Sequence, residues 1–556
     1  MTLLRWLTRN GKLRYPALLR WIWLYFLIRA AFYASVIPIW EGYDEWSHFA
    51  YIEHVVAHSE LPVAANTRVS REIERSLQLM PLPWAAKDST SKHIHHDEYW
   101  KAPDQKRLLL RDALHSIPPD WRVQPDLNGR LLYEAQQPPL YYWLMSIPLR
   151  ATRNATLVER VYLVRYLSVA VASLLIPIGF LVARRVFGRD DLALAVAAFM
   201  AAMPGLMIDI CRVGNESFAI VLFSMLVLFL LRYFDPGGGT REALVVGFIA
   251  ALGLLAKAYF LTALPAIALI LAVKFWRAPY QRRWIACHLL LIAGTATIIS
   301  GWWYYRNWAT TGFWSGEQQE AILKSLSLWE VLRHASRVDW ASAADSAFFS
   351  YIWFGAWSFL QMRWWIYHLF RFLCYAGVIG LLLMFLRPSR RRATEYAVDR
   401  ASLFVLLCLV SFFIVGLGYH VLVTFVANGL SATCGWYGYA LVVAECILMA
   451  TGWMSLGPRK SGKHIMTGVI AAFVLLDFYG MHFLMIPYYS GIIEHTPAGA
   501  LQTLHVRQLW ETGLGPIAER IAANKPALLT PAMLIALWIS YLICTLRLPF
   551  SHRRSD

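Results

Sequence analysis

The chain has 556 residues, of which 58% are hydrophobic and only 16% charged, with a formal net charge of +17. A soluble domain runs to about 45–50% apolar and about 25% charged, so one large soluble core is excluded and the apolar excess belongs in lipid. The basic surplus sits in short loops between apolar blocks, which is a mark of membrane topology and excludes nucleic acid as the partner.

Arg5, Arg9, Lys12, Arg14 and Arg20 lead into the first apolar run, 17–39. That run is too long for the h-region of a signal peptide and no small-residue cleavage site follows, so it reads as a retained first span behind a cytoplasmic tail, 1–16. Blocks long enough to cross a bilayer recur at 159–182, 192–211, 215–234, 242–257, 258–275, 284–304, 366–386, 401–424, 436–455, 464–486 and 528–547, about twelve spans in all. The pair 242–257 and 258–275 forms one apolar run with Lys257 near its middle and Pro265 beyond it as a candidate kink.

Even-numbered loops are short and basic. They carry Arg184, Arg185 and Arg189; Lys274, Arg277, Arg282 and Arg283; Arg387, Arg390, Arg391 and Arg392; Arg459, Lys460 and Lys463. The chain ends on Arg547, Arg553 and Arg554. This alternation predicts both termini on the cytoplasmic side. Three outer segments are long: 40–158, 305–365 and 487–527. Within the first, 47–58 and 137–149 are apolar, aromatic and too short to span, as expected of helices lying along the membrane surface. The seven cysteines (Cys211, Cys287, Cys374, Cys408, Cys434, Cys446 and Cys544) lie in or beside apolar blocks without paired spacing, so neither a disulfide framework nor a CxxC metal motif is expected.

Chemistry-bearing residues gather at outer span ends. In EGYDEWSHFAYIEH, residues 41–54, a helix starting at Asp44 places His48 at i+4 and Glu45 at i+3 from His48. Helix capping by Asp44 is the plain alternative, yet two acids and a histidine are costly where lipid begins. In YEAQQPPLYYWL, residues 133–144, Glu134, Gln136 and Gln137 precede Pro138-Pro139 and the aromatic Tyr141, Tyr142 and Trp143; an aromatic-belt anchor is the alternative there. Arg165, Arg212, Asn215, Glu216, Lys257, Arg306 and Asn307 also fall at outer span ends, against the usual charge bias. An anionic lipid phosphate explains the cations as a set, and snorkelling to headgroups explains each one singly. KHIHHDEYW, residues 92–100, matches no defined zinc spacing and reads as a solvated loop. Asn154-Ala155-Thr156 is an outward-facing glycosylation sequon.

Together these motifs resemble the GT-C glycosyltransferases, polytopic enzymes that use polyprenyl-phosphate-linked sugars. DExxHF (Asp44, Glu45, His48 and Phe49) is similar to the acidic motif of their first outer loop, and QPPLYY (Gln137 to Tyr142) to a segment later in that loop. MPG…RVGNES (Met203 to Ser217), GLLAK (Gly253 to Lys257) and GWWYYRNW (Gly301 to Trp308) follow in family order. The resemblance covers roughly the first 315 residues. It implies an all-α bundle of about twelve spans with juxtamembrane helices on its first outer loop, a catalytic module at 17–315 and further helices at 316–556.

The resemblance also implies an inverting transfer from a polyprenyl-phosphate-linked sugar to an extracytoplasmic acceptor (a glycan, lipid or protein), with Asp44 as the base and Glu45 and His48 in support. Arg165, Arg212, Lys257 and Arg306 would bind the donor phosphate, and Glu134, Gln137, Tyr141, Asn215 and Glu216 the substrates. Some members hold a divalent metal between outer-loop acids, which here would be Asp44, Glu45 and Glu134. Related aminoarabinose and mannosyl transferases often carry a charged residue or histidine before the proline pair, where this chain has Gln136 and Gln137. The leaving-group chemistry agrees independently: phosphate departs without a proton and needs positive charge where negative charge develops. The expected setting is a bacterial cytoplasmic membrane, with the site on the extracytoplasmic face among membrane lipids. A lipid or polysaccharide transporter would instead place charges mid-bilayer in paired halves, and a non-catalytic assembly protein would need no acidic pair.

Overall fold

The computed structural model describes residues 17–64, 66–86, 94–152, 154–315, 325–386, 398–457 and 462–551. The predicted tail 1–16, His93 and the basic residues Arg387, Arg390, Arg391, Arg392, Arg459, Lys460, Arg553 and Arg554 lie outside them. Among the described residues there are helices and isolated bridges but no strand.

Among the described residues ten helices are long and apolar enough to cross a membrane, or eleven when the bent pair Asp190–Ala202 and Pro204–Ile210 counts as one span. The expectation of about twelve is therefore not reached by length and composition. The helix Thr240–Ala256, which answers to the predicted 242–257, has 17 residues, at the short limit for crossing. The apolar run there breaks at Lys257, whose backbone is extended (φ −160°, ψ 144°), and not at Pro265. Pro265 falls in the first turn of Ala263–Arg277, where a missing N–H removes no helical hydrogen bond. The bent pair turns by 63° at Met203-Pro204: proline opens the second helix and drives the preceding residue to extended geometry. Both breaks bring polar segments, 209–217 and 257, to the end of the bundle that carries the long first loop.

Most of that loop is folded. The helices Glu45–His58 and Leu140–Ala151 answer to the predicted 47–58 and 137–149. They pack through Tyr51 and Tyr142, stacked at 3.7 Å and 5°. Around them Trp40, Phe49, Tyr141, Tyr162 and Val213 form a second apolar core, distinct from that of the bundle.

Charge is not confined to span ends. Arg29, midway along Ala17–Val36, is fully buried and donates from Nε and Nη2 to Asp477 at 3.1 and 2.6 Å. The hydroxyls of Tyr33 and Tyr541 donate to the same carboxylate at 2.5 and 2.6 Å, and Arg29 also donates to the carbonyls of Ala201 and Ala202. An ionised side chain at this depth is costly unless paired; here the pair is enclosed by tyrosines.

Candidate active site

Asp44 ends an eight-residue connection, 37–44, from the first span to the helix Glu45–His58. Trp40 and Asp44 both have left-handed backbone, φ 68° and 52°, a conformation that costs non-glycine residues energy and gathers at functional sites. Asp44 stands at the N-cap but makes no side-chain cap hydrogen bond, so capping does not account for it. Its half-buried carboxylate has no hydrogen-bond or ion-pair partner among the described residues. Burial pushes the Asp44 carboxyl above its usual range, against the pull of Arg212 and Lys257 and with the push of Glu216.

Those three residues form one polar chain. Arg212 Nη2 lies 2.8 Å from Glu216 Oε2 and donates to Asp209 at 3.0 Å, while Nη1 donates to the Tyr43 carbonyl at 2.6 Å. Lys257 donates to the other Glu216 oxygen and to Asn215 Oδ1, the latter at 2.8 Å. Asn215 Nδ2 donates to Gln137 Oε1 at 3.1 Å. Two glycines admit the arginine: a Cβ at Gly42 would meet Arg212 Cβ at 2.5 Å, and one at Gly214 would meet Arg212 Nη1 at 2.4 Å. Arg212, Asn215, Glu216 and Lys257 are all buried. Two cations held by a shared carboxylate beside an unpaired one suit a phosphate and a reacting hydroxyl.

Glu45 and Arg165 are committed elsewhere. Arg165 donates to Glu45 from Nε and Nη2, both at 2.6 Å, and to the carbonyls of Ala34, Ile37 and Pro38 at 3.2, 2.7 and 2.7 Å. Glu45 also accepts from the Trp40 and Val213 amides, each at 2.9 Å. Both side chains are fully buried. The pair closes the end of the first span and anchors the loop, so Arg165 is a structural cation instead of a donor-phosphate ligand, and Glu45 is not open to a metal or a substrate. Adjacent in sequence, Asp44 and Glu45 part because the left-handed residue turns one carboxylate toward 212–257 and the other into the loop core.

His48 is also structural in geometry: Nδ1 pairs with the Tyr142 hydroxyl at 2.8 Å, and burial holds the imidazole neutral, well below its usual range. Tyr141 bridges Ser168 Oγ (2.9 Å) and the Gly214 amide (3.1 Å). Glu134 does approach Asp44. Its Oε2 and the Oε1 of Gln136 are buried with no hydrogen-bond partner among the described residues, as are Asp209 Oδ2 and Arg212 Nε; buried polar atoms are seldom left so, and these mark a place for a ligand. Burial, then the charge of Asp44, push Glu134 up to about 8. Among the described residues no three His, Cys, Asp or Glu side chains group to hold a metal.

Arg306 and the aromatic residues of the outer segment 305–365 fall away from this cluster. Arg306 donates to the Leu61 and Pro62 carbonyls at 3.2 and 3.0 Å and so braces the first loop. Trp353 is fully buried, and Trp357 packs edge-on against Tyr43 at 5.3 Å, while Trp308 and Trp314 stack on each other at the surface. Of the 92–100 segment, the described residues 94–100 are not a solvated loop. His96 Nε2 lies 3.1 Å from buried Glu41, and Asp97 pairs with His495 at 3.1 Å, clasping the first loop to 487–527. Thr156 of the sequon caps the helix Leu157–Ala172 in a capping box with Glu159.

Residues 136–305 match the family described as dolichyl-phosphate-mannose-protein mannosyltransferase, a GT-C family. The chain is matched over 170 of its 556 residues. Among solved structures it is similar to the crystal structure of ArnT from Cupriavidus metallidurans bound to undecaprenyl phosphate, at 12% identity and a TM-score of 0.38, over 90% of this chain and 72% of that one. It is also similar to the Archaeoglobus fulgidus oligosaccharyltransferase in complex with zinc and sulfate, at 14% identity and a TM-score of 0.41, over 91% of this chain and 62% of that one. No curated protein matches the chain. The GT-C match takes in Gln137, Arg212, Asn215, Glu216 and Lys257; Asp44 lies before it.

The C-terminal half adds residues that no motif announced. Trp436 stacks on Tyr43 at 3.8 Å and 7°. Cys434 and Tyr437 lie within electrostatic range of Asp44, and Tyr437 packs against Tyr259 at 5.5 Å. Lys525, buried beside the Arg165 pair, donates to the Val36 and Ile37 carbonyls at 3.2 and 2.9 Å and so caps the first span.

Proposed function

We propose that this protein is a GT-C glycosyltransferase, which transfers a sugar from a polyprenyl-phosphate carrier to an acceptor hydroxyl, with inversion, on the extracytoplasmic face of a bacterial cytoplasmic membrane, both termini inside. The observation that carries the reading is the unpaired Asp44 carboxylate facing the chain Arg212–Glu216–Lys257. Asp44 takes the proton of the acceptor hydroxyl. The oxygen attacks the anomeric carbon, the bond from that carbon to the phosphate oxygen breaks, and the carrier phosphate departs with the electron pair. Arg212 and Lys257 supply positive charge where it develops, and Glu216 holds them in register. The raised Asp44 pKa suits a general base working near neutrality. A divalent cation bound by Asp44 and Glu134 would add positive charge to the same phosphate. Residues 17–315 carry the chemistry; Trp436 and Tyr437, from 316–556, close its wall.

The test is Asp44→Asn in membranes supplied with a polyprenyl-phosphate sugar. Transfer should fall by about 10²–10⁴-fold, the usual worth of a general base, while the protein still inserts. Transfer at the wild-type rate would refute the assignment.

A further inference from the structure

The helix Glu45–His58 links the candidate site to a second feature. Ser47, Ala50, His54 and His58 recur along it at three- and four-residue spacing, the spacing that puts side chains on one face. At one end of this stripe Ser47 Oγ accepts from the Glu134 amide at 3.0 Å, beside Asp44. At the other end lies a cavity of about 420 Å³, walled by Ala50, Glu53, His54, His58, Glu60 and Asn66 and by the strands of loop at 67–70 and 122–125. That volume is in the range of small-ligand pockets, about 300–1,000 Å³. At about 1.5 Å rise per residue, His54 stands about 15 Å along the helix from Asp44.

The lining selects a chemistry. The side chains of His54, His58, Glu60 and Asn66 have no hydrogen-bond partner among the described residues, and the two imidazoles lie 4.7 Å apart, tilted by 47°. Burial and then the neighbouring His58 hold His54 down at about 4, so at neutral pH it offers one donor and one acceptor. Glu60 accepts and Asn66 does both. Arg68 and Arg122 share the lining with Glu53 and Glu60, and Arg160 pairs with Glu53 from behind the wall. A bare anion would meet the carboxylates, and a bare cation the guanidiniums. A hydroxyl both donates and accepts, so a run of hydroxyls matches the alternation. The apolar part of the wall is Ala50, Val69, Val123 and Pro125, a surface on which a sugar's C–H face can rest.

We propose that this cavity is a saccharide subsite, which seats the part of a polyhydroxylated acceptor lying beyond the reacting hydroxyl and makes the acceptor a glycan. The inference rests on Asp44 being the base at the other end of the same helix. Its test uses the full-length protein in lipid nanodiscs, with carbethoxylation of His54 and His58 by diethyl pyrocarbonate read by mass spectrometry. The probes are neutral di- and trisaccharides released from the host envelope, with glycerol 3-phosphate and phosphocholine standing for lipid headgroups. A saccharide at about ten times its Kd should slow modification of both histidines about tenfold. Glu60→Gln and Asn66→Ala, both at exposed positions, should weaken that protection, and Asp44→Asn should keep it while losing transfer. Protection by the headgroup probes alone, or by none of the saccharides, would overturn the subsite. Intact protection with wild-type transfer by Asp44→Asn would overturn the base instead.

Discussion

Replacing Arg165 with Met separates a structural cation from a donor ligand. The guanidinium makes two bonds to Glu45 and three to the carbonyls of Ala34, Ile37 and Pro38. Without it, Glu45 stays fully buried with two amides as its only donors, those of Trp40 and Val213. Breaking a buried pair from one side costs about 3–5 kcal/mol, because the remaining charge is left uncompensated. That is about two to four orders of magnitude in the population of the intact site. The assay is thermal stability of the detergent-solubilised protein by fluorescence-detected size exclusion, beside donor titration of the surviving fraction. Arg165→Met should lower the midpoint and kcat while leaving the donor KM little changed. The double variant with Glu45→Gln should recover most of the stability, since it leaves neither charge alone. Wild-type stability combined with a raised donor KM would refute the structural role and return Arg165 to the phosphate site.

Three other outcomes follow from the geometry. Lys257→Met removes a charge-assisted bond to Glu216 worth about 1.5–3 kcal/mol, so donor kcat/KM should drop about ten- to a hundredfold; an unchanged value would exclude Lys257 from the phosphate site. Because burial raises the Asp44 pKa and the base acts when deprotonated, kcat/KM should climb with pH through a midpoint above the ordinary aspartate value. A profile already flat at pH 5 would contradict this. Burial raises the Asp97 carboxyl, but hydrogen bonds from His495 outweigh it and leave the pKa below 3.8. A depressed carboxylate stabilises above its unfolded pKa and loses that contribution as pH falls through the folded value. Limited proteolysis should therefore find the clasp between 94–100 and 487–527 closed at neutral pH and open only below about pH 4, while His495→Ala should open it at neutral pH; cleavage of the wild type at pH 6 would refute the ion-pair clasp.

Of the seven residues read as gathering at outer span ends, Arg212, Asn215, Glu216 and Lys257 do meet, because hydropathy fixes where helices end, whereas Arg165 and Arg306 bond elsewhere. The bend at Pro204 went unread inside the block 192–211, and Lys257 did not announce a break, since an extended residue inside an apolar run has no composition to betray it. Asp44 and Glu45 read alike, and only a left-handed backbone sends them to different neighbours. The partners of Arg165, His96 and Asp97 were hidden for a different reason. Glu45, Glu41 and His495 are respectively 120, 55 and 398 positions away, and nothing local encodes such pairings. Trp436 and Tyr437 carry no motif and enter by packing alone.

The enclosed pair of Arg29 and Asp477 has a meaning for biogenesis. Its members are separated by 448 positions. At a synthesis rate of about 5–20 residues per second, Asp477 emerges about 20–90 s after Arg29. During that interval the first span holds a guanidinium near its centre with no carboxylate to meet it, at an insertion cost of about 2.5–3.5 kcal/mol. The first span is thus poorly suited to rest alone in lipid. The chain has reason to keep it beside the insertion machinery until the penultimate and last spans arrive with Asp477 and Tyr541, so this buried contact acts as a late checkpoint on complete assembly.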